Sequence, residues 1–237
     1  MISFVCWKWS TPGYRSTFGP EAVNVLAAMI RRHYPEPHRI LCVTNDPAGI
    51  EPGVEIVPDR ADFADIPSPH GGGNPSCYRR LRLFEPDAAA TFGDRIVSID
   101  LDCVILDDLR PLLDVPNDLV LWQDPGRPDQ YCASMMLLRA GTRPDVWSGF
   151  DPARSPASAR AAGCMGSDQG WLSYCLGPWE ARWTAEDGIL SYRLDQLDRV
   201  PLPESARVVM FHGGQDPWSP GPQQLGWVRR HYRRGLE

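Results

Sequence analysis

The chain has 237 residues, of which 43% are hydrophobic and 23% are charged, a composition typical of a globular protein with a buried core. The formal net charge of −6 argues against a protein that binds the phosphate backbone of nucleic acids, because such proteins are normally basic. No segment approaches the ~20 apolar residues that a membrane span needs, and residues 1–10 lack the pattern of a secretory signal.

The first quarter of the chain has the pattern of strand, helix and strand. The apolar run 3–7 predicts a buried strand, and Pro20 lies in the first turn of a predicted helix that Pro35 ends. Apolar runs at 40–44 and 54–57 predict two more strands. This alternation predicts a βαβ unit within a parallel sheet.

Polar or amphipathic side chains follow the first two predicted strands. Lys8 and Trp9 come after the first strand, and Asp46 comes after the second. Ligands of parallel sheets collect at the carboxyl ends of the strands, near the point where the strand order reverses. We therefore expect these three residues near a bound ligand, although each is also an ordinary loop residue.

The next segment, 59–76, is rich in proline, glycine and aspartate and predicts a mobile loop near the ligand. Its triple glycine, 71–73, lacks the surrounding residues of the known phosphate-binding motifs. Residues 76–84 then predict a helix with Ser76 as its N-cap and with Arg80 away from the apolar stripe.

Two aspartates interrupt the apolar run 95–106. Residues i and i+2 of a strand point to the same side, so Asp100 and Asp102 are predicted to project together from the carboxyl end of a buried strand. Neighbouring carboxylates repel each other unless a cation lies between them, and a divalent metal ion is the usual cation. The alternative is a strand that ends in a polar turn, with Asp102 capping the element that follows.

The second half of the chain continues the alternation of strands and helices. Further strands are predicted at 119–122, 132–138 and 207–211. The last of them leads directly into His212 and Gly213, and a helix within 164–176 has Asp168 and Gln169 near its head. A final helix is predicted from Pro222 onward. Neither an internal repeat nor a domain linker is visible, so we predict a single domain spanning 1–237.

The seven cysteines are scattered, and no two have the Cys-x-x-Cys spacing of common metal and redox sites. Several lie in apolar runs, where a free thiol behaves as a small hydrophobic side chain. We therefore predict a reduced, cytoplasmic protein without a structural zinc ion.

The order of these signals resembles the retaining glycosyltransferases of family 8, the group of glycogenin and the bacterial lipooligosaccharide galactosyltransferases. The signals are the βαβ start, the pair Asp100 and Asp102, the pair Asp168 and Gln169, and the closing His212 and Gly213. Three further stretches are similar to bacterial proteins assigned to that superfamily: 8–10, 19–24 and 44–47. The resemblance implies an α/β fold of the GT-A (Rossmann-like) type of nucleotide-diphospho-sugar transferases, with a mostly parallel central sheet flanked by helices.

The resemblance also implies a metal site. In the family, the Asp-x-Asp carboxylates and the late histidine hold Mn²⁺ on the donor diphosphate, which implies Asp100, Asp102 and His212 as ligands of Mn²⁺ (or Mg²⁺). Carboxylate and imidazole ligands suit Mn²⁺, and oxygens of a bound diphosphate would complete an octahedral shell. A metal ion there would offset the charge that develops on the departing nucleoside diphosphate.

The same resemblance implies further site residues. Asp168 and Gln169 are the implied catalytic pair, with Asp168 binding a sugar hydroxyl and Gln169 near the anomeric carbon, and an ordinary helix N-cap is the alternative for Asp168. Arg80 is implied to meet the diphosphate or the sugar, and a solvent-facing arginine is its alternative. The residues implied to bind the nucleotide-sugar donor are Lys8, Trp9, Asp46, Arg80, Asp100 and Gly213.

Two positions depart from the family pattern. Cys132 stands where relatives have an amide side chain that contacts sugar, and Asp216 stands where relatives have a lysine that contacts the diphosphate. An anion beside a diphosphate weakens binding unless Arg80 or another cation compensates.

Together these features predict a metal-dependent glycosyltransferase that moves a hexose, with retention, from a nucleotide sugar to a glycan, lipid-linked or protein acceptor, with UDP as the family-based choice of nucleotide. One alternative is a degenerate GT-A protein that binds a nucleotide sugar without transferring it. The other is a phosphatase of the haloacid-dehalogenase type that uses Asp100 and Asp102. That class usually carries its motif on the opening strand, whereas three predicted strands precede the motif here.

Overall fold

The computed structural model describes residues 1–9, 18–69 and 76–235. The strands are β1 (Ile2–Lys8), β2 (His38–Thr44), β3 (Glu55–Pro58), β4 (Arg95–Ile99), β5 (Cys103–Ile105), β6 (Leu119–Gln123), β7 (Tyr131–Arg139), β8 (Ala181–Trp183), β9 (Ile189–Ser191) and β10 (Val208–Met210). The α-helices are α1 (Pro20–His33), α2 (Ala88–Phe92), α3 (Arg110–Leu113), α4 (Asp145–Ser148), α5 (Ser155–Ala161), α6 (Asp168–Leu176) and α7 (Gly226–His231). Short 3₁₀ helices cover Tyr78–Phe84, Gly177–Trp179, Ala185–Asp187 and Pro222–Gln224.

Seven strands form the central sheet in the order β3-β2-β1-β4-β7-β6-β8. Neighbouring strands of this sheet are parallel, except that β7 is antiparallel to both β4 and β6. A second sheet has the order β5-β10-β9, with β10 antiparallel to β5 and parallel to β9. The predicted α/β class with a mostly parallel central sheet flanked by helices is therefore confirmed.

Two apolar clusters form the core of the described residues, and the alternation along β1 shows that they lie on opposite faces of the sheet. Phe4 and Cys6 belong to the cluster that contains α1. Val5 and Trp7 belong to the other cluster, which contains α6 and the segment Tyr78–Phe84. Both faces of the sheet are therefore covered, which is the arrangement that parallel strands require.

One alternative is excluded, and two local predictions were wrong. The segment Tyr78–Phe84 is a 3₁₀ helix with all seven residues buried, so the solvent-facing alternative for Arg80, which is 6% exposed, is excluded. Asp100 and Asp102 do not lie in one continuous strand, because β4 ends at Ile99 and the chain bends before β5 begins. The C-terminal segment is divided between a 3₁₀ turn and α7 rather than forming one helix.

The other predicted elements agree with the structure to within a few residues. The predicted glycine-rich part of the 59–76 loop, residues 70–75, lies outside the described residues. Among the described residues, no helix combines the length and apolar character that crossing a bilayer requires.

Candidate active site

The bend between β4 and β5 is fixed to both sheets by backbone hydrogen bonds. The Asp100 N–H donates to the Ser134 carbonyl on β7 at 2.9 Å, and the Phe211 N–H after β10 donates to the Asp102 carbonyl at 2.8 Å. The chain therefore leaves the central sheet at Asp100 and enters the second sheet after Asp102. This crossing places both carboxylates at the carboxyl end of β4, where parallel sheets bind their ligands.

A cleft of about 190 Å³ opens beside this bend, and we call it the carboxylate cleft. Its polar lining comes from Arg80, Asp100, Asp102 and His212, and its apolar lining includes Trp7, Trp9 and Phe18. Gly213 also lines the cleft, with a φ of +97° that favours glycine. The structure thus brings together Trp9, Arg80, the two aspartates, His212 and Gly213, all of which the sequence analysis named as candidate site residues.

The two aspartates are held in an environment that disfavours their negative charge. Burial raises the pKa of Asp100, and Arg80 only partly opposes this effect. Burial raises the pKa of Asp102 well above its usual range, and the charges of Asp100 and Asp216 raise it further. A cation placed between the two carboxylates would relieve the part of this effect that comes from their mutual repulsion.

Arg80 lies between two carboxylates rather than facing solvent. Its Nε donates to Asp168 Oδ2 at 2.7 Å, and its Nη1 forms an ion pair with Asp100 Oδ1. The same Nη1 also donates to the Ala133 carbonyl at 3.3 Å. Burial alone would lower the pKa of Arg80, but the charges of Asp100 and Asp168 outweigh it and raise the pKa well above its usual range. The charge of this arginine is therefore already compensated within the protein.

Asp168 is one of the most deeply buried carboxylates of the chain, with a side-chain exposure of 2%. Its other oxygen, Oδ1, accepts a hydrogen bond from Ser167 Oγ at 3.3 Å. Asp168 lines neither the carboxylate cleft nor the neighbouring cavity described below. Its contacts therefore support a role in holding Arg80, whereas the sequence predicted contact with a sugar hydroxyl.

His212 is half-buried at the end of the last strand and is held from the side by Ser191. Its Nε2 lies 2.7 Å from Ser191 Oγ, and its ring packs edge-on to Trp122 at a centroid distance of 6.3 Å. Burial lowers the pKa of His212, and the neighbouring Arg193 lowers it further. The imidazole is therefore biased toward its neutral form, which is the form that binds metal ions.

A second cavity, of about 440 Å³, adjoins the cleft and shares His212 with it; we call it the Gln169 cavity. Besides Gln169, its lining includes Asp124, Arg127, Cys132, Ser134 and Arg193. The Cys132 thiol lies 3.4 Å from Ser134 Oγ and 3.7 Å from Gln169 Oε1. Burial raises the pKa of Cys132 to about 12, so this thiol is protonated at neutral pH and acts as a weak hydrogen-bond donor.

Gln169 reaches this cavity because the chain before it contains a glycine in a left-handed conformation. Gly166 has a φ of +98°, and a Cβ added there would lie 2.3 Å from Gln169 Cγ. Any larger residue at this position would therefore displace the Gln169 side chain and strain the backbone.

We expect the substitution Gly166→Ala to reduce turnover more than it reduces stability. The backbone strain should lower the free energy of unfolding by about 1–3 kcal/mol. Turnover should fall as well, because the Gln169 amide is displaced from its position in the cavity. Denaturant unfolding and the rate of nucleoside diphosphate release from a nucleotide sugar measure the two effects. Gly163→Ala is the matched control, because Gly163 also has a positive φ of +82° but a Cβ there would meet no atom within 4 Å. Equal rates for the two variants would contradict the role assigned to Gly166.

Lys8 and Asp46 form a pair of their own. The buried Lys8 Nζ donates to the Asp46 carbonyl at 2.6 Å and lies 3.2 Å from Asp46 Oδ2. This contact joins the carboxyl ends of β1 and β2 beside the cleft. Neither residue lines the cleft itself, so the structure places this predicted pair next to the other site residues rather than among them.

The donor set of the cleft is chemically suited to a divalent cation. Two carboxylates and a neutral imidazole are ligands that Mn²⁺ accepts, and the carboxylates are partly buried. Within residues 1–9, 18–69 and 76–235, no three His, Cys, Asp or Glu side chains are grouped closely enough to hold a metal ion by themselves. Asp100, Asp102 and His212 could therefore hold a metal ion only if a bound ligand supplied further oxygens.

Three residues of this region carry no motif in the sequence. Asp124 and Arg127 lie in a turn after β6. Their position after a predicted strand is the feature of the sequence that could have marked them as candidate site residues. Ser191 is buried in β9 and is recognisable only from its contact with His212.

No family model and no curated protein match the sequence. Solved structures do match. The galactosyltransferase LgtC, solved with donor and acceptor sugar analogues, is 15% identical, with 96% of this chain and 93% of that chain covered and a TM-score of 0.64.

The glycosyltransferase GlyE of Streptococcus pneumoniae is 13% identical, with 98% of this chain and 62% of that chain covered and a TM-score of 0.58. The bifunctional glycosyltransferase WbbM is 16% identical, with 100% of this chain and 52% of that chain covered and a TM-score of 0.54. The chain thus spans nearly the whole of LgtC but less than two thirds of GlyE and WbbM. It has the GT-A-like fold of these glycosyltransferases.

Proposed function

We propose that the protein is a metal-dependent glycosyltransferase that moves a hexose, with retention, from a UDP-sugar to a glycan, lipid-linked or protein acceptor. A single domain spanning 1–237 would carry this activity. The observation that carries the proposal is the meeting of Asp100, Asp102 and His212 in one cleft that adjoins the Gln169 cavity. A donor bound across the two would have its diphosphate on the carboxylate side and its sugar beside Gln169.

Each group of residues has a separate task in this proposal. Asp100, Asp102 and His212 hold Mn²⁺ or Mg²⁺, and the metal ion offsets the charge of the departing nucleoside diphosphate. Trp9 and Gly213 line the space for the donor. The pair of Lys8 and Asp46 stabilises the neighbouring strand ends on the nucleotide side.

Gln169 is the residue that we propose contacts the transferred sugar. A similar structure is described as an active-site glutamine-to-glutamate variant of LgtC, so a glutamine serves in the active site of that protein. Asp168 is proposed to position Arg80 through its 2.7 Å contact, and to act on the sugar only through that arginine. The free cysteines agree with the proposed cytoplasmic location.

Release of nucleoside diphosphate from a panel of nucleotide sugars tests this function. We expect slow hydrolysis of one UDP-hexose in the presence of Mn²⁺ and none in EDTA, because water substitutes poorly for the acceptor. A protein that is stabilised by a nucleotide sugar but never releases the diphosphate would be the degenerate binder for which Asp216 is the motive. Hydrolysis of simple phosphomonoesters instead would support the phosphatase alternative, which the fold disfavours.

A further inference from the structure

The carboxylate cleft has an excess of negative charge for a site that receives a diphosphate. Asp100 and Asp102 line it together with one cation, Arg80, which pairs with Asp100, and the charge of Asp216 acts on Asp102. A diphosphate would add its own negative charge to that of the carboxylates. The two positive charges of one divalent metal ion would offset only part of this sum. A further cation near His212 and Gly213 would therefore favour the binding of a diphosphate.

Two of the nearby cations are already paired with carboxylates. Arg80 is held between Asp100 and Asp168. Arg127 of the Gln169 cavity lies 3.6 Å from Asp124. A cation in an ion pair brings little net charge to an incoming anion.

Arg193 is the arginine of this neighbourhood for which the described part of the chain provides no ion pair. It is exposed, it lines the Gln169 cavity, and its charge acts on His212. A Cβ added to Gly213 would lie 3.8 Å from Arg193 Nη1 and 3.9 Å from its Cδ and Cζ. The guanidinium therefore lies beside Gly213, which lines the cleft, while Arg193 itself lines the adjoining cavity.

A rigid turn presents Arg193 at this position. The Ser191 N–H donates to Asp195 Oδ2 at 2.7 Å, and the Asp195 N–H donates to the Ser191 carbonyl at 3.0 Å. Between them, the Leu194 N–H donates to Ser191 Oγ at 3.0 Å, the same hydroxyl that contacts His212. Tyr192 anchors the turn by stacking on Phe211 at a centroid distance of 4.3 Å. The turn and the end of β10 are thus one unit.

We propose that Arg193 binds the diphosphate of the donor and supplies the positive charge that a lysine at position 216 would otherwise supply. This inference rests on the proposed function and deepens it. The planar guanidinium can donate two parallel hydrogen bonds to phosphate oxygens, which a lysine cannot do. Because the turn already fixes the backbone of Arg193 near Gly213, only the side chain has to be ordered on binding.

Calorimetric titration with UDP, GDP, ADP, CDP and dTDP in the presence of Mn²⁺ tests the proposal. We expect Arg193→Gln to weaken the binding of the diphosphate that wild type binds best by about 10- to 100-fold, as for the loss of a charge-assisted contact. Arg193→Lys should weaken diphosphate binding less than Arg193→Gln does, because lysine keeps the positive charge. The second substitution Asp216→Lys, added to Arg193→Gln, should restore most of the lost affinity because it returns a cation to the same diphosphate.

Arg199→Gln is the matched control, because Arg199 is an exposed arginine of the same segment that pairs with Asp198 at 3.3 Å and lines neither space. It should bind the diphosphate as wild type does, and thermal unfolding should give the same Tm for all the variants. Binding by Arg193→Gln within twofold of wild type would overturn the role of Arg193 while leaving the proposed function intact. If wild type bound none of the five diphosphates, the proposed function would fail and the inference with it.

Discussion

Replacing Arg80 by methionine is expected to lower the free energy of unfolding by about 3–5 kcal/mol, the usual cost of removing one partner from a buried ion pair. Methionine fills much of the same volume, so the loss comes from charge and hydrogen bonding. Asp168, 2% exposed, would keep its buried carboxylate without the contact from Arg80 Nε. Denaturant unfolding of the purified variant measures the change.

Two comparisons separate this effect from a general cost of losing an arginine. Arg39→Met removes a two-hydrogen-bond pair with Glu55, at 2.9 and 2.7 Å, whose side chains are 30% and 50% exposed. Because exposed ion pairs contribute little, that variant should lose about 1 kcal/mol or less. Adding Asp168→Asn to Arg80→Met should recover part of the loss, since it neutralises the stranded carboxylate. Equal costs for Arg80→Met and Arg39→Met would show that the buried pair is not a stabilising unit.

Asp102→Asn is expected to abolish the dependence of nucleoside diphosphate binding on Mn²⁺. The substitution keeps the shape of the side chain but removes a charged metal ligand. Its effect on metal affinity should exceed the roughly 10- to 100-fold that the loss of an outer-shell partner costs. In EDTA the variant should be at least as stable as wild type, because burial and Asp100 raise the pKa of Asp102 and its charge is unfavourable in the empty cleft.

The matched control is Asp107→Asn. Asp107 lies just after β5, and its side chain is 60% exposed and pairs with Arg207 at 3.2 Å. This variant should retain the full metal dependence of wild type. An Asp102→Asn protein that still binds the diphosphate more tightly with Mn²⁺ than without it would remove Asp102 from the site.

Part of the lining of the carboxylate cleft could be predicted from the sequence because it lies at strand ends. The apolar runs indicate the strands, and a polar residue directly after a buried parallel strand lies at the edge of the sheet formed by the carboxyl ends of the strands. This reasoning put Asp100 at that edge, whereas His212 was named from the family resemblance and follows β10, a strand of the second sheet. The i and i+2 argument for Asp102 had the wrong local geometry, because apolar runs do not indicate where a chain leaves one sheet for another.

The electrostatic partners could not be predicted in the same way. Arg80 pairs with Asp168 across 88 positions of the sequence, and Ser191 contacts His212 through a side chain with no motif around it. The sequence also left a solvent-facing Arg80 as an alternative, whereas Arg80 is buried in a 3₁₀ helix and pairs with Asp100 and Asp168. Such contacts depend on how loops and helices pack over the sheet, which residue patterns within one segment do not encode.

A crystal structure of the protein with Mn²⁺ and UDP tests the central claim most directly, because anomalous scattering locates the metal ion without assumptions about its ligands. We expect one manganese peak in the carboxylate cleft, bonded to carboxylate oxygens of Asp100 and Asp102, to the His212 imidazole and to the diphosphate. UDP bound in the cleft with no manganese peak, or a peak away from these three side chains, would contradict the account.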